Sequence, residues 1–247
     1  MWEFADLCRV ERFGNVLFKL CFFLTISVYG YNVLSDKPWV PWVLGGSGSV
    51  KNIFPAGFLY TELHEDVAYY YLWGLSYHVM SLVYHLFMSK KADFLEMFLH
   101  HIVTIFLIGF SYMSNYVRIG SLVFYLHDFT DIFSYLIKSS VDTSNTALNI
   151  VNYILLLTAW GIGRLFIFPV FLIYETIMIR ENYADPEMTH GYYFFNTCLL
   201  ILQFLHIYWY FLFLRMGLDY ATRGTIRDSQ VDGFENETGH TKNESKK

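Results

Sequence analysis

Residues Phe94–Met113 read Phe-Leu-Glu-Met-Phe-Leu-His-His-Ile-Val-Thr-Ile-Phe-Leu-Ile-Gly-Phe-Ser-Tyr-Met, and 119–137 read Ile-Gly-Ser-Leu-Val-Phe-Tyr-Leu-His-Asp-Phe-Thr-Asp-Ile-Phe-Ser-Tyr-Leu-Ile. Each is a mostly apolar run of about 20 residues, the length that carries a helix across roughly 30 Å of hydrocarbon. Outward from this pair, similar runs stand at 16–34, 67–88, 148–179 and 192–216. Only helices or closed barrels satisfy their own backbone in lipid, so the pattern predicts an all-α, polytopic membrane bundle of about six transmembrane helices. The run 148–179 is too long for one straight crossing. Its Pro169 lacks an N–H, which predicts a kink with part of the helix lying in the interface.

Composition agrees. Of 247 residues 55% are hydrophobic, 20% aromatic and 16% charged, whereas a soluble domain carries about 25% charged residues. The mean hydropathy is only +0.34 because the 20 Tyr and 6 Trp are polar-tipped rings suited to membrane interfaces. Three cysteines cannot build a disulfide framework, and a net charge of -5 argues against nucleic acid as a partner.

The first 15 residues include Glu3, Asp6 and Glu11 and lack a signal-peptide core, so 1–15 is expected to be a cytosolic lead-in and the first span to be retained. Residues 16–216 form the expected membrane domain, and 217–247 a polar, disordered cytosolic tail. Lys90, Lys91, Lys138, Arg215 and Arg223 fall on the same side as the termini, which the positive-inside rule makes cytosolic. The loop 35–66, with Pro38, Pro41, Pro55 and Gly45-Gly-Ser-Gly48, reads as an irregular non-cytosolic excursion whose Trp39 and Trp42 sit at headgroup level. Asn236-Glu-Thr and Asn243-Glu-Ser are chance glycosylation matches in a cytosolic tail.

An ionisable group at the bilayer centre costs about 2.5–3.5 kcal/mol on insertion scales, so those inside spans mark function. His100 and His101 lie in the third run, with Thr104 one turn beyond. His127, Asp128 and Asp131 lie in the fourth. The joining turn 114–118 makes the two helices antiparallel neighbours. Counted from its midpoint the histidines lie about 16 residues back and the aspartates about 12–15 forward, so the clusters fall at similar depth and can meet. His78, His85 and His206 read instead as satisfied interhelical hydrogen-bonders.

Three chemistries use His with Asp. A membrane di-iron oxidase needs His-x-x-x-His and His-x-x-His-His spacings, which are absent. A zinc hydrolase needs His-Glu-x-x-His, also absent, and no Cys lies near the pair. Acyl transfer by a neutral imidazole, with a carboxylate fixing its tautomer or taking a proton, needs no motif that is missing.

The sequence of these residues, His100-His-Ile-Val-Thr104, Ser111 to Gly120 with Asn115 and Arg118, His127-Asp-Phe-Thr-Asp131, then Lys138, resembles the signature of the ceramide synthases, the longevity-assurance branch of the TLC-domain proteins. Similar segments continue outside it: Ser35-Asp-Lys-Pro-Trp39, Arg164-Leu-Phe-Ile-Phe-Pro169 and Leu205-His-Ile-Tyr-Trp209. The resemblance implies an endoplasmic-reticulum enzyme that moves a fatty acyl group from acyl-CoA to the amine of a sphingoid base. It requires no cofactor and no metal, and pairs with itself or with other ceramide synthases. Carried over by residue, it makes His100, His101, Asp128 and Asp131 catalytic, with Thr104, Asn115, Arg118, His127 and Lys138 in support. It puts acyl-length selection in the loop 180–192. Tyr135 stands where many members carry an acidic residue, and Val10-Glu-Arg-Phe-Gly14 departs from the family's lead-in. The competing classes are a non-catalytic TLC-domain lipid sensor or cargo protein and an inactive regulatory isoform; a pure binding module has no need of the His-His and His-Asp-x-x-Asp set.

Overall fold

The computed structural model describes residues 2–55, 57, 60–87, 93–141, 143, 145–182 and 191–223. Lys90, Lys91, most of the loop 180–192 and the tail from 224 onward lie outside the described residues. The long elements are α1 (Trp2–Leu34), α2 (Glu65–Phe87), α3 (Phe94–Met113), α4 (Val117–Ser140), α5 (Thr146–Trp160), a wide-turned π segment (Gly161–Ile173), α6 (Tyr174–Asn182) and α7 (Tyr192–Arg223). α1 begins well before residue 16, so the lead-in is helix continuous with the first span, and α7 runs past 216.

The protein is an all-α, multi-pass membrane bundle. Val10–Leu34, Phe94–Met113, Thr146–Met178 and Tyr192–Thr222 are long and apolar enough to cross a membrane on length and composition alone. α2 and α4 are of similar length but more polar, because they carry ionisable residues into the interior. α4 is the hub. It packs on α1, α2, α3, α5 and the π segment, while α7 covers α3, α5 and the π segment. In lipid, helices associate through close packing rather than water expulsion, so small residues mark the contacts. A Cβ on Gly30 would stand 3.0 Å from the Tyr70 ring, one on Gly74 2.5 Å from Phe124, and one on Gly163 2.6 Å from Thr130.

Between α3 and α4 the chain reverses through Asn115 at φ 57°, a left-handed conformation that asparagine tolerates better than most side chains. Asn115 Nδ2 donates to the Thr61 carbonyl at 2.9 Å, tying the turn to the loop 35–66. That loop has a core of its own: Trp39, Val40, Ile53 and Phe54 are buried. Trp39 is packed inside the loop rather than presented on its surface: its ring lies under the Arg118 guanidinium at 4.7 Å and stacks on His64. Trp42 remains exposed. Lys37 reaches Asp66 at 3.1 Å and Asp36 at 3.3 Å, clamping the loop to the start of α2.

The long fifth run stays helical from Thr146 to Asn182, through Pro169. The missing proline N–H is absorbed by widening the turns, and the Tyr174 N–H reaches back to the Pro169 carbonyl. Such a register change alters which face each residue presents, and it places Arg164 in the interior.

Candidate active site

α2, α3, α4 and α7, with Thr176 of α6, line a cleft whose cavity volume is about 70 Å³. His100, Thr104, Leu107, Ile108 and Ser111 line it from α3, at the three- and four-residue steps that share one helix face. From α4 come His127, Asp128 and Asp131, and from α2 His78. The two polar clusters therefore open onto one space.

The histidine pair divides. Adjacent residues on a helix point about 100° apart, so both cannot face one cleft. His100 lines it, edge-on to Trp209 at 5.4 Å, with Nδ1 buried and unpartnered. His101 turns toward α2, where its ring lies 5.4 Å from His85. His85 Nε2 in turn donates to the Phe94 carbonyl at 3.1 Å.

The aspartates also differ. Asp128, 2% exposed, accepts a hydrogen bond from the Tyr70 hydroxyl at 3.1 Å. Asp131 accepts from Arg164 Nη2 at 2.6 Å. Arg164 donates further to Thr130 Oγ1 at 2.7 Å and to the His127 carbonyl at 3.2 Å, and lies 4.0 Å over the Trp160 ring. One carboxylate thus has a neutral donor and the other a dedicated cation.

His127 has a defined tautomer. Its Nδ1 lies 2.6 Å from the Val123 carbonyl, which can only accept, so Nδ1 carries the proton and Nε2 the lone pair. His206 Nε2, 3.1 Å from that lone pair, must donate. His206 Nδ1 is left unprotonated, buried and unpartnered.

Of the supporting residues, Thr104 and His127 reach the cleft, and Thr104 Oγ1 is buried without a partner. Asn115 and Arg118 serve the loop; Arg118 Nη1 donates to the Asn52 carbonyl at 3.3 Å. Lys138 lies 5.3 Å from the Tyr135 ring and does not line the cleft. His85 and His206 each make a bridging hydrogen bond through Nε2, while His206 Nδ1 and His78 Nδ1 are unpartnered and His78 lines the cleft. Arg164 was missed as a site residue although the rule for ionisable groups in spans applies to it. Tyr70 had no signal, being one aromatic among many. Among the described residues no three His, Cys, Asp or Glu side chains converge as a metal site would require.

The TLC domain that defines the TRAM_LAG1_CLN8 family matches residues 12–215. The chain is 31% identical to Ceramide synthase 3 of Mus musculus over 218 residues, covering 85% of this chain and 52% of the relative. To Ceramide synthase 3 of Homo sapiens it is 30% identical over 233 residues, 91% of this chain and 56% of the relative. To Ceramide synthase 4 of Bos taurus it is 32% identical over 251 residues, 96% and 58%. The chain spans about half the length of the curated relatives it matches. With a match across most of its length and a bundle that carries the matched residues through every long helix, the chain belongs to the TLC-domain family.

Proposed function

We propose that this chain is a ceramide synthase of the endoplasmic-reticulum membrane with both termini in the cytosol, transferring a fatty acyl group from acyl-CoA to the amino group of a sphingoid base such as sphinganine. The observation that carries the reading is the convergence of His100, His127, Asp128 and Asp131 on one cleft whose remaining walls are mostly apolar. Both substrates are amphiphiles, and such a cleft lets alkyl chains lie in apolar surroundings while the reacting atoms meet polar groups. The likeness to relatives named as ceramide synthases supports the same class.

In the mechanism, neutral His100 attacks the thioester carbonyl carbon. The C–S bond breaks, coenzyme A leaves as thiolate, and the imidazolium proton goes to it. The resulting acyl-imidazole is about as activated as a thioester, so no further energy source is required. The sphingoid amine then attacks, its proton passes to Asp128 and from it to the departing imidazole nitrogen, and the bond from acyl carbon to that nitrogen breaks, restoring neutral His100 and ionised Asp128. Asp128 is preferred because Asp131 is engaged by Arg164 and His101 faces α2. Expression in cells lacking endogenous ceramide synthase, with sphinganine and acyl-CoA supplied, tests the reading: wild type makes ceramide and His100→Ala and Asp128→Ala do not. Equal output from all three would end the assignment, and absence of a trapped acyl-enzyme in an active protein would end the covalent route.

A further inference from the structure

His127 and His206 share a hydrogen bond between α4 and α7 that the acyl-transfer steps do not use. His127 lines the cleft, whereas His206 is 0% exposed and does not. Their Nε2 atoms stand 3.1 Å apart. The Val123 carbonyl, one turn back on α4, lies 2.6 Å from His127 Nδ1 and fixes the proton there. His206 is therefore the donor of the shared bond and His127 the acceptor.

A neutral imidazole has one N–H and one lone pair and no third hydrogen-bonding site. Both sites of His127 are taken by protein partners, so this ring offers a substrate neither a donor nor an acceptor. The other imidazoles of the cleft differ: His100 and His78 each keep a buried Nδ1 with no partner.

The surroundings hold the pair in place. Trp160 Nε1 donates to the His206 carbonyl at 3.1 Å, and the Phe168 and Trp160 rings meet the His206 ring at 5.4 and 5.9 Å. Phe168 also packs edge-on to His127 at 5.1 Å. Thr130 Oγ1 donates to the His127 carbonyl at 3.0 Å and Arg164 Nη2 at 3.2 Å. Packing alone does not explain a histidine at 206. Its Nδ1 is buried without a partner, and an unsatisfied buried acceptor is a cost that leucine or phenylalanine would avoid. What histidine adds there is a donor aimed at His127.

We infer that His206 is a positioning residue that locks His127: its Nε2–H occupies the His127 lone pair, fixes the ring in one tautomer and keeps it out of the reaction, so that acyl groups settle on His100. The lock stands on its own geometry, and its effect on acyl transfer rests on the proposed reaction. Without the donor, the His127 ring is free to turn its lone pair toward the cleft. Its Nε2 would then bond the acyl carbon as the C–S bond breaks, and the Nδ1 proton would leave with coenzyme A, giving a second, competing acyl-imidazole.

The test uses the full chain in lipid bilayers, with its histidine nitrogens isotopically labelled for solid-state NMR. Wild type is expected to show an N–H···N coupling between two imidazoles, one protonated on Nδ1 and the other on Nε2; its loss in His127→Gln and in His206→Gln assigns it. His206→Gln, which keeps an N–H donor, leaves His127 Nε2 at the shift of a hydrogen-bonded lone pair, and His206→Leu moves it to that of a free one. Wild type without the coupling, or with His127 protonated on Nε2, overturns the lock, and this readout needs no variant to fold. His206→Gln behaving like His206→Leu overturns the role of the donor. Acyl-CoA alone, followed by mass spectrometry of the trapped adduct, reads the consequence. Adducts are expected at His100 only in wild type and His206→Gln, and at both His100 and His127 in His206→Leu. An adduct at His127 in wild type, or at His100 alone in folded His206→Leu, overturns the claim that the lock keeps His127 out. The coupling present with no adduct in any protein would count against the covalent acyl-transfer reading and leave the lock standing.

Discussion

Replacing Arg164 by methionine keeps a straight stem of similar bulk but removes every donor that the guanidinium supplies. Asp131 loses a 2.6 Å ion pair, Thr130 Oγ1 a 2.7 Å hydrogen bond and the His127 carbonyl a 3.2 Å one. The Arg164 side chain is 3% exposed and that of Asp131 25%, toward the cleft it lines. Breaking a buried pair from one side costs about 3–5 kcal/mol, while replacing both partners by apolar side chains is often neutral or stabilising. Because Asp131 keeps some access to the cleft, the lower figure applies, about 3 kcal/mol. For a chain of this size each kcal/mol shifts Tm by roughly 2–4 °C, so Arg164→Met is expected to melt about 6–12 °C below wild type. Thermal unfolding of the detergent-solubilised protein, read by size-exclusion chromatography, should be run on wild type, Arg164→Met, Asp131→Leu and the double variant. The double variant should recover at least half of the Arg164→Met loss, since neither charge is then stranded. A single variant indistinguishable from wild type, or a double variant at the sum of the singles, would refute the claim that the pair is desolvated and coupled.

Further outcomes are expected. His100→Ala should lower acyl transfer by about 100-fold or more, and His101→Ala by much less, because that ring packs on His85; equal losses measured in membranes would contradict the division of the pair. Tyr70→Phe removes the donor to Asp128 and should destabilise by about 1–3 kcal/mol, seen as a lower Tm with the folded yield retained. In the loop, burial alone would raise the Asp66 carboxyl, but the Lys37 hydrogen bond and charge, with the Val67 N–H, outweigh it and hold Asp66 below the usual range. Burial likewise would lower Lys37, but Asp66 and Asp36 hold it above its usual range. The Asp66 contribution is therefore present above the unfolded carboxylate value, about 3.9, and lost as pH falls through the lower folded one; the Lys37 contribution is present below about 10.4 and lost as pH rises through the higher folded one. Asp66 is 43% exposed, so the pair is worth about 0.5 kcal/mol, and Lys37→Met should flatten that part of the acid limb in a Tm-against-pH series.

Much of the architecture is legible in the sequence. Apolar runs of bilayer length predict the long helices, and a short turn between two of them makes neighbours of α3 and α4. A fixed rise per residue puts His100 and Asp128 at one depth. The Pro169 irregularity was legible too, although the widened turns that form it were not. That Trp39 turns inward was not legible, because the loop folds on itself and Arg118 takes the ring.

Depth is a property of one helix, and the sequence alone determined it. Azimuth is a property of the pair, since which face of a helix meets its neighbour depends on how side chains interlock across the contact. Only the tertiary structure could decide that His100 enters the cleft while His101 leaves it, or that widened turns bring Arg164 to Asp131. The same holds for the bare Gly120, beside which Tyr71 of α2 reaches Ser111 of α3.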